Sequence, residues 1–236
     1  MLLPQKGPYL RIPEKAGGGS PLTVHIYDIS ITLSAETPTW PGSERFHLKW
    51  EKTIGEKGVN ESSLRLNSHC GTHFDMPLHF HHEGRRIENI FLERCIGKAL
   101  VIEYTGTEHI QPDFLNQIEI PSGCRKILFK TRNSYENMVV QNVFRNDHIA
   151  LSPESAKWIV EKNIDLVGID YLSIQSIEAE DNETHQILLA AETLILEGLD
   201  LRKIAGGLYM LVALPLNIPE AEAAPARAVL IEGDLW

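Results

Sequence analysis

Cysteine is scarce in this chain of 236 residues: Cys70, Cys95 and Cys124 are odd in number and widely spaced. They give no disulfide framework, which points to a reducing compartment and a cytoplasmic location. Positive charge is also in deficit. Lys and Arg number 22 against 32 Asp and Glu, a formal net charge of −10. Nucleic acid and anionic membrane both demand a basic face, so neither is expected as a partner. Long apolar runs are missing as well, and none approaches the roughly 20 residues of a membrane-spanning helix. Residues 1–21, MLLPQKGPYLRIPEKAGGGSP, lack the apolar centre of a secretory signal and are broken by Pro and Lys. They read as an N-terminal arm ending in a flexible Gly-rich stretch, which can lie free or pack on a neighbouring subunit. The domain itself is expected over residues 22–236.

What remains is ordinary globular material, 43% hydrophobic and 23% charged, enough for a core of its own. Runs of β-branched and apolar residues predict strands over 24–33, 45–53, 62–69, 98–104, 126–131, 164–170, 193–199, 207–218 and 227–232. Helical signals are fewer. Residues 152–163, SPESAKWIVEKN, have Ser152 to cap, Pro153 in the first position, and Ala156, Ile159 and Val160 at helical spacing. Residues 112–119 and 182–192 read as two further helices. With no internal repeat and no strict βαβ alternation, the expectation is one strand-rich α/β domain with a mixed sheet flanked by a few helices.

The most unusual stretch is residues 68–82, SHCGTHFDMPLHFHH, which holds five of the ten histidines. His69, Gly71, His73, Asp75, Pro77 and His79 share odd numbering, and in an extended strand they share one face. Cys70, Thr72, Phe74, Met76 and Leu78 fall on the other. A helix is a poor alternative, because Gly71 and Pro77 would both be interior to it. A straight strand is also insufficient, since it separates His69 from His73 by about 13 Å. Metal–nitrogen bonds of about 2.0–2.1 Å need them closer. Gly71 is where a bend is cheap, and Pro77 ends ordinary ladder pairing, which sends His79 into a loop. Two His and an Asp suit Zn²⁺ or Mn²⁺, and three protein donors leave a position open for water, the pattern of a catalytic ion.

The motif HCGTHFDMPLH resembles the H-x-G-T-H-x-D-x-P-x-H signature of the cyclase-like metal-dependent hydrolases, a family that includes bacterial kynurenine formamidase and isatin hydrolase. YDISITLSAETPTWPG resembles the family's opening strand and Trp-Pro-Gly loop, and LVGIDYLSIQ its Gly-Ile-Asp-x-x-Ser segment. THQILLAAETLILEGLDL and LYMLVALPLNIPEAEAAPARAVL resemble its C-terminal part. The resemblance spans roughly residues 25–231. It implies a swivelling β/β/α fold and one or two divalent ions, Zn or Mn, per subunit. His69, His73 and Asp75 would bind the first, and Asp75 would bridge to a second completed by His185 and Glu197. His79 would be the catalytic acid/base and Trp40 a substrate contact. The implied substrate is a small amide, first an N-formyl arylamine such as N-formylkynurenine, which belongs to tryptophan catabolism, and the implied assembly is a homodimer or homotetramer. A cyclic amide of the isatin type, or a lactone, is the alternative within the family.

The second donor pair carries a physical condition. His185 and Glu197 stand twelve residues apart. On one straight helix they would be about 18 Å apart, so a turn near Glu192 and Thr193 is required. Two positions depart from the formamidase type: Ser43 follows Trp-Pro-Gly in place of Asp, and Gln175 stands where Asp is common. Two rival readings stay open. A non-catalytic metal-binding protein would use the His-rich tract alone, His81 and His82 included. A Cys70 nucleophile is opposed by its parity, which turns it to the other face as a packing residue.

Overall fold

The computed structural model describes residues 24–179 and 181–233; the expected N-terminal arm lies outside them. The strands are β1 His25–Asp28, β2 His47–Lys52, β3 Glu61–Arg65, β4 His73–Asp75, β5 Ile96–Glu103, β6 Lys126–Lys130, β7 Leu166–Ile169, β8 Leu194–Glu197, β9 Gly207–Pro215 and β10 Ala223–Glu232. Each apolar run identified in the sequence contributes one. β10 begins four residues early: Ala223, Ala224 and Pro225 pair with Asp75, Phe74 and His73. Proline disfavours a strand reading there, but the neighbouring N–H of Ala226 finds Thr72 O at 2.8 Å.

The sheet is mixed, as expected, and it closes, which was not. β5, β6, β7 and β8 run parallel in that order. β8 pairs antiparallel with β4, β4 with β10, β10 with β9, and β9 with β5. Seven strands thus form a mixed barrel, with β1 added on β10. Strand alternation then sorts the side chains. Phe74, Leu128, Leu166, Leu194, Leu196, Leu211 and Leu230 fill one cluster drawn from around the ring. Ile127, Phe129, Val167, Ile169 and Ile195 point the other way, into a second cluster with Trp158, Ile159, Leu188 and Leu189. These last four come from the two longer helices, Pro153–Glu161 and Glu183–Ala190, which therefore cover the outer face of the parallel strands.

The helix signals at 152–163 are realised in detail: Ser152 Oγ accepts from Ser155 N at 3.1 Å, and Pro153 is the first helical residue. Helical turns at Ile54–Lys57, Leu92–Cys95 and Arg132–Tyr135 were not anticipated. At four residues each they are too short to show a helical period. β2 and β3 form a separate two-stranded ribbon, exposed along its whole length. Among the described residues no helix is long and apolar enough to cross a membrane.

Candidate metal centre

Strand geometry assembles the site. Phe74 and Leu196 lie in the interior cluster, so the residues flanking them, His73, Asp75 and Glu197, face outward. β4 and β8 are antiparallel neighbours with His73 directly opposite Glu197. Their outward face looks toward the helix Glu183–Ala190, which brings down His185. Glu192 takes φ +59 between that helix and β8, the turn that the spacing of His185 and Glu197 demanded. His185 Nε2 consequently lies 3.2 Å from Glu197 Oε1 and 3.7 Å from Asp75 Oδ2.

The bend at Gly71 is equally concrete. Gly71 has φ +71, and the His69 and His73 rings are 5.0 Å apart between centroids, where a straight strand would give about 13 Å. Gly198, with φ +67, backs onto it so closely that a Cβ there would sit 2.3 Å from Gly71 O. Gly71 O also accepts from His73 Nδ1 at 2.9 Å. A carbonyl can only accept, so Nδ1 carries hydrogen and Nε2 is the nitrogen offered to the cluster. His73 Nε2 lies 3.3 Å from Glu197 Oε2 and 3.4 Å from Asp75 Oδ1. His69 Nδ1 lies 2.9 Å from Asp75 Oδ1, and its Nε2 lies 3.3 Å from Glu222 Oε1. Pro77 opens a 3₁₀ turn, Pro77–His79, which lifts His79 off the strand and sets its ring 4.3 Å from that of His69 and 6.3 Å from that of His185.

All five expected metal donors and His79 therefore converge. Two groups have donor atoms within 4.8 Å of one another, His69, Asp75 and His79, and His73, Asp75 and Glu197, while His185 lies beside the second through Glu197 at 3.2 Å. Asp75 belongs to both. The antiparallel register sets His73 beside Glu197, and the 3₁₀ turn sets His79 beside His69.

Charge balance tests whether a cation suits these residues. Burial opposes a charge on His73, but hydrogen bonding and charge from Asp75 and Glu197 prevail and push its pKa up to about 10. Burial likewise opposes charge on His185, and Glu197 overrides it, so that its pKa is raised. For Asp75 burial favours the neutral form, yet His69 and His73 hold it well below the carboxylate range. Glu197 is held low by His185 and His73 against burial and the charge of Asp75. His79 differs: burial lowers its pKa. Two buried carboxylates thus demand positive charge between them, and without an ion they take it as imidazolium protons. Hydrogen bonding remains incomplete. His69 Nε2, His73 Nε2 and both oxygens of Asp75 are buried with only close ion-pair contacts among themselves and to His185, Glu197 and Glu222, none aligned as a full hydrogen bond, and His185 Nδ1 is buried with no hydrogen bond. Orphaned donors and acceptors of this kind mark a site made for another group, and a divalent cation fits these donors.

The cluster forms the floor of a cavity of about 320 Å³, walled by Trp40, Phe80, Leu172 and Ile177 among apolar residues and by Ser43, Asn67 and Gln175 among polar ones. Trp40 stands at its edge, 37% exposed, with its ring edge-on to Phe144 at 5.0 Å. Cys70 is buried and burial pushes its thiol pKa up, which suits the packing role. His81 faces Gln186 O at 3.3 Å and His82 is exposed beside Glu83, so neither joins the cluster. Two participants carry no signal in the sequence, and a third only a partial one. Ile174 contributes only a backbone N–H, to Glu197 Oε1 at 2.7 Å. Glu222 reaches His69 through the register of β10 on β4, and Gln175 was visible only as a departure from the formamidase pattern. No local pattern announces a backbone donor or a contact made by strands far apart in the chain.

The fold and the cluster define a class: an α/β barrel bearing a buried His, Asp and Glu donor set on its outer face, under a cavity open to a small molecule. The chain belongs to the cyclase family, whose model, described as "Putative cyclase", matches residues 27–176. Cyclase-like protein 3 of Arabidopsis thaliana is 34% identical over 216 residues, 88% of this chain and 79% of the relative. A kynurenine formamidase of Salinibacter ruber is 32% identical over 208 residues, 87% of this chain and 96% of the relative. Among solved structures, a potential metal-dependent hydrolase with cyclase activity superposes with a TM-score of 0.77 at 29% identity, covering 90% of this chain and all of the other. Isatin hydrolase A of Labrenzia aggregata has the same fold, with a TM-score of 0.76 at 20% identity over 89% of this chain and 94% of its own.

Proposed function

We propose that this protein is a divalent-metal-dependent hydrolase of a small amide, most directly an N-formyl arylamine such as N-formylkynurenine. The observation that carries this reading is the buried convergence of His69, His73, Asp75, His185 and Glu197, whose polar atoms are packed together without completing their hydrogen bonds, beneath an aromatic-walled cavity. His69, His73, Asp75, His185 and Glu197 would hold one or two ions, Zn²⁺ or Mn²⁺ by donor type. A divalent ion in such a place supplies water of near-neutral pKa and a Lewis acid for a carbonyl oxygen.

The chain's own residues then have separable tasks. Burial keeps His79 neutral near pH 7, so its imidazole can first accept a proton and then hand it to the departing nitrogen. Its position beyond Pro77, in the cavity wall beside the donors, supports that role. Trp40 and Phe80, on the same wall, offer faces for an aryl ring. An arylamine also departs more readily than an alkylamine, which matches the proposed substrate to a single imidazole proton donor.

A cyclic amide of the isatin type, or a lactone, offers the same carbonyl to the same cavity and is the second reading. A homodimer or homotetramer is proposed for the assembly. Support comes from the β2–β3 ribbon, where Leu48, Trp50 and Leu64 share one face and are 49%, 57% and 60% exposed. The metal-loaded protein should hydrolyse N-formylkynurenine faster than isatin in a direct comparison of the two. Turnover of isatin alone would transfer the assignment to the cyclic amide.

A further inference from the structure

The helix that carries His185 only partly secures its own start. Asn182 stands at the N-cap but makes no side-chain capping hydrogen bond. The first N–H groups of a helix need partners from elsewhere. Asp181 Oδ1 accepts from Glu183 N at 3.4 Å, and Gln175 supplies the next two: its Oε1 accepts from Thr184 N at 3.1 Å and from His185 N at 3.4 Å. Its Nε2 donates to Asp181 O at 2.7 Å, just ahead of the N-cap. One carboxamide therefore grips the helix start from both sides. The preceding residue holds the other donor, because Ile174 N donates to Glu197 Oε1 at 2.7 Å. That same oxygen faces His185 Nε2 at 3.2 Å.

The segment bearing these two residues is itself tied from behind. Gln175 O faces His148 Nε2 at 3.0 Å, and His148 Nδ1 faces Arg145 O at 3.1 Å. His148 is fully buried and stacks on Tyr171 with centroids 4.5 Å apart. Gln175 is only 5% exposed. A buried carboxamide using both its oxygen and its nitrogen, next to a backbone N–H bonded to a candidate donor, has a positioning task.

We propose that Gln175 is the positioning residue of the His185–Glu197 half of the site. Its carboxamide fixes the start of the His185 helix while the adjoining Ile174 N–H fixes Glu197, and together they set the spacing at which a cation is held. This rests on the metal-dependent reading above. Partners that orient ligands in this way typically contribute 10–100-fold to metal affinity.

The test is a Co²⁺ titration of the full chain, stripped of metal beforehand and followed by the visible absorption of the bound ion. Gln175→Ala should weaken Co²⁺ binding by about 10–100-fold and alter the absorption spectrum. Asn182→Ala removes another cavity-lining carboxamide, one that makes no capping bond, and should leave both near the parent values. Thermal unfolding of the metal-free variants shows whether Gln175→Ala folds. If it does not, Gln175→Glu keeps the acceptor, loses the donor to Asp181 O, and should weaken binding to a lesser degree. Parent-like affinity and spectrum in the Gln175 variants would overturn the proposal alone, as would an Asn182→Ala loss equal to that of Gln175→Ala. A parent protein that takes up no Co²⁺ would overturn the metal reading with it.

Discussion

His79 sits where two roles meet. It lines the cavity as a proton carrier should, yet its ring lies 4.3 Å from that of His69 and its donor atom groups with His69 and Asp75. Variants separate the roles. His79→Ala should lower turnover by about 10²–10⁴-fold, the usual contribution of a general acid or base. Bound metal, measured by elemental analysis, should stay close to the parent level in that variant. His73→Ala should lose metal outright, since it removes a buried donor directly opposite Glu197. Equal loss of metal in the two variants would make His79 a donor and end its acid/base role. At this scale much was legible in the sequence. The odd-numbered parity of His73 and Asp75 is a property of any strand, and the bend at Gly71 follows from a side chain of hydrogen alone. The pairing of particular donors was not legible, because it depends on which residue of β8 faces which residue of β4.

Among the elements, the two glycine turns beneath the cluster matter most. Gly71 and Gly198 lie back to back, and the hydroxyl of Thr72 donates to Gly198 O while accepting from Ile31 N at 2.9 Å. A methyl group at Gly198 meets backbone at 2.3 Å in a conformation of φ +67. Gly58 has φ +73 but open space around it. Gly198→Ala should therefore destabilise the protein by more than the roughly 1–2 kcal/mol of a left-handed non-glycine residue, whereas Gly58→Ala should cost about that much. Thermal unfolding of the two variants checks the order, since each kcal/mol moves the midpoint by about 2–4 °C in a chain of this size. Equal shifts would mean that the backbone contact of the two turns relaxes freely. Elements themselves were mostly foreseeable: Pro153, Ser152 and the β-branched runs act locally. Closure of the barrel is not, because β9 and β10 meet β5 and β4 across long stretches of intervening chain, and hydrophobic period says nothing about partner choice.

Across the whole molecule, the buried charges couple stability to pH when metal is absent. His73 has a folded pKa of about 10 against an ordinary 6.5, so its contribution is complete below about 6.5 and is lost as pH rises through about 10. Asp75 and Glu197 have lowered values, so theirs is present above their ordinary 3.8 and 4.5 and is lost as pH falls below them. The metal-free protein should thus gain most from this cluster between roughly pH 4.5 and 6.5 and weaken toward pH 10. Unfolding midpoints across that range check it, and a midpoint unchanged from pH 6 to 10 would contradict the charge balance drawn here. Metal binding near pH 7 must displace the His73 proton, so affinity should rise with pH and calorimetry in two buffers should register proton release.

The most direct test is N-formyl arylamine hydrolysis by one preparation in three states: as purified, after chelation and dialysis, and after return of Zn²⁺ or Mn²⁺. Turnover should disappear with the metal and return with it, in step with the ion content of the protein. Undiminished hydrolysis by the chelated, metal-free chain would contradict it.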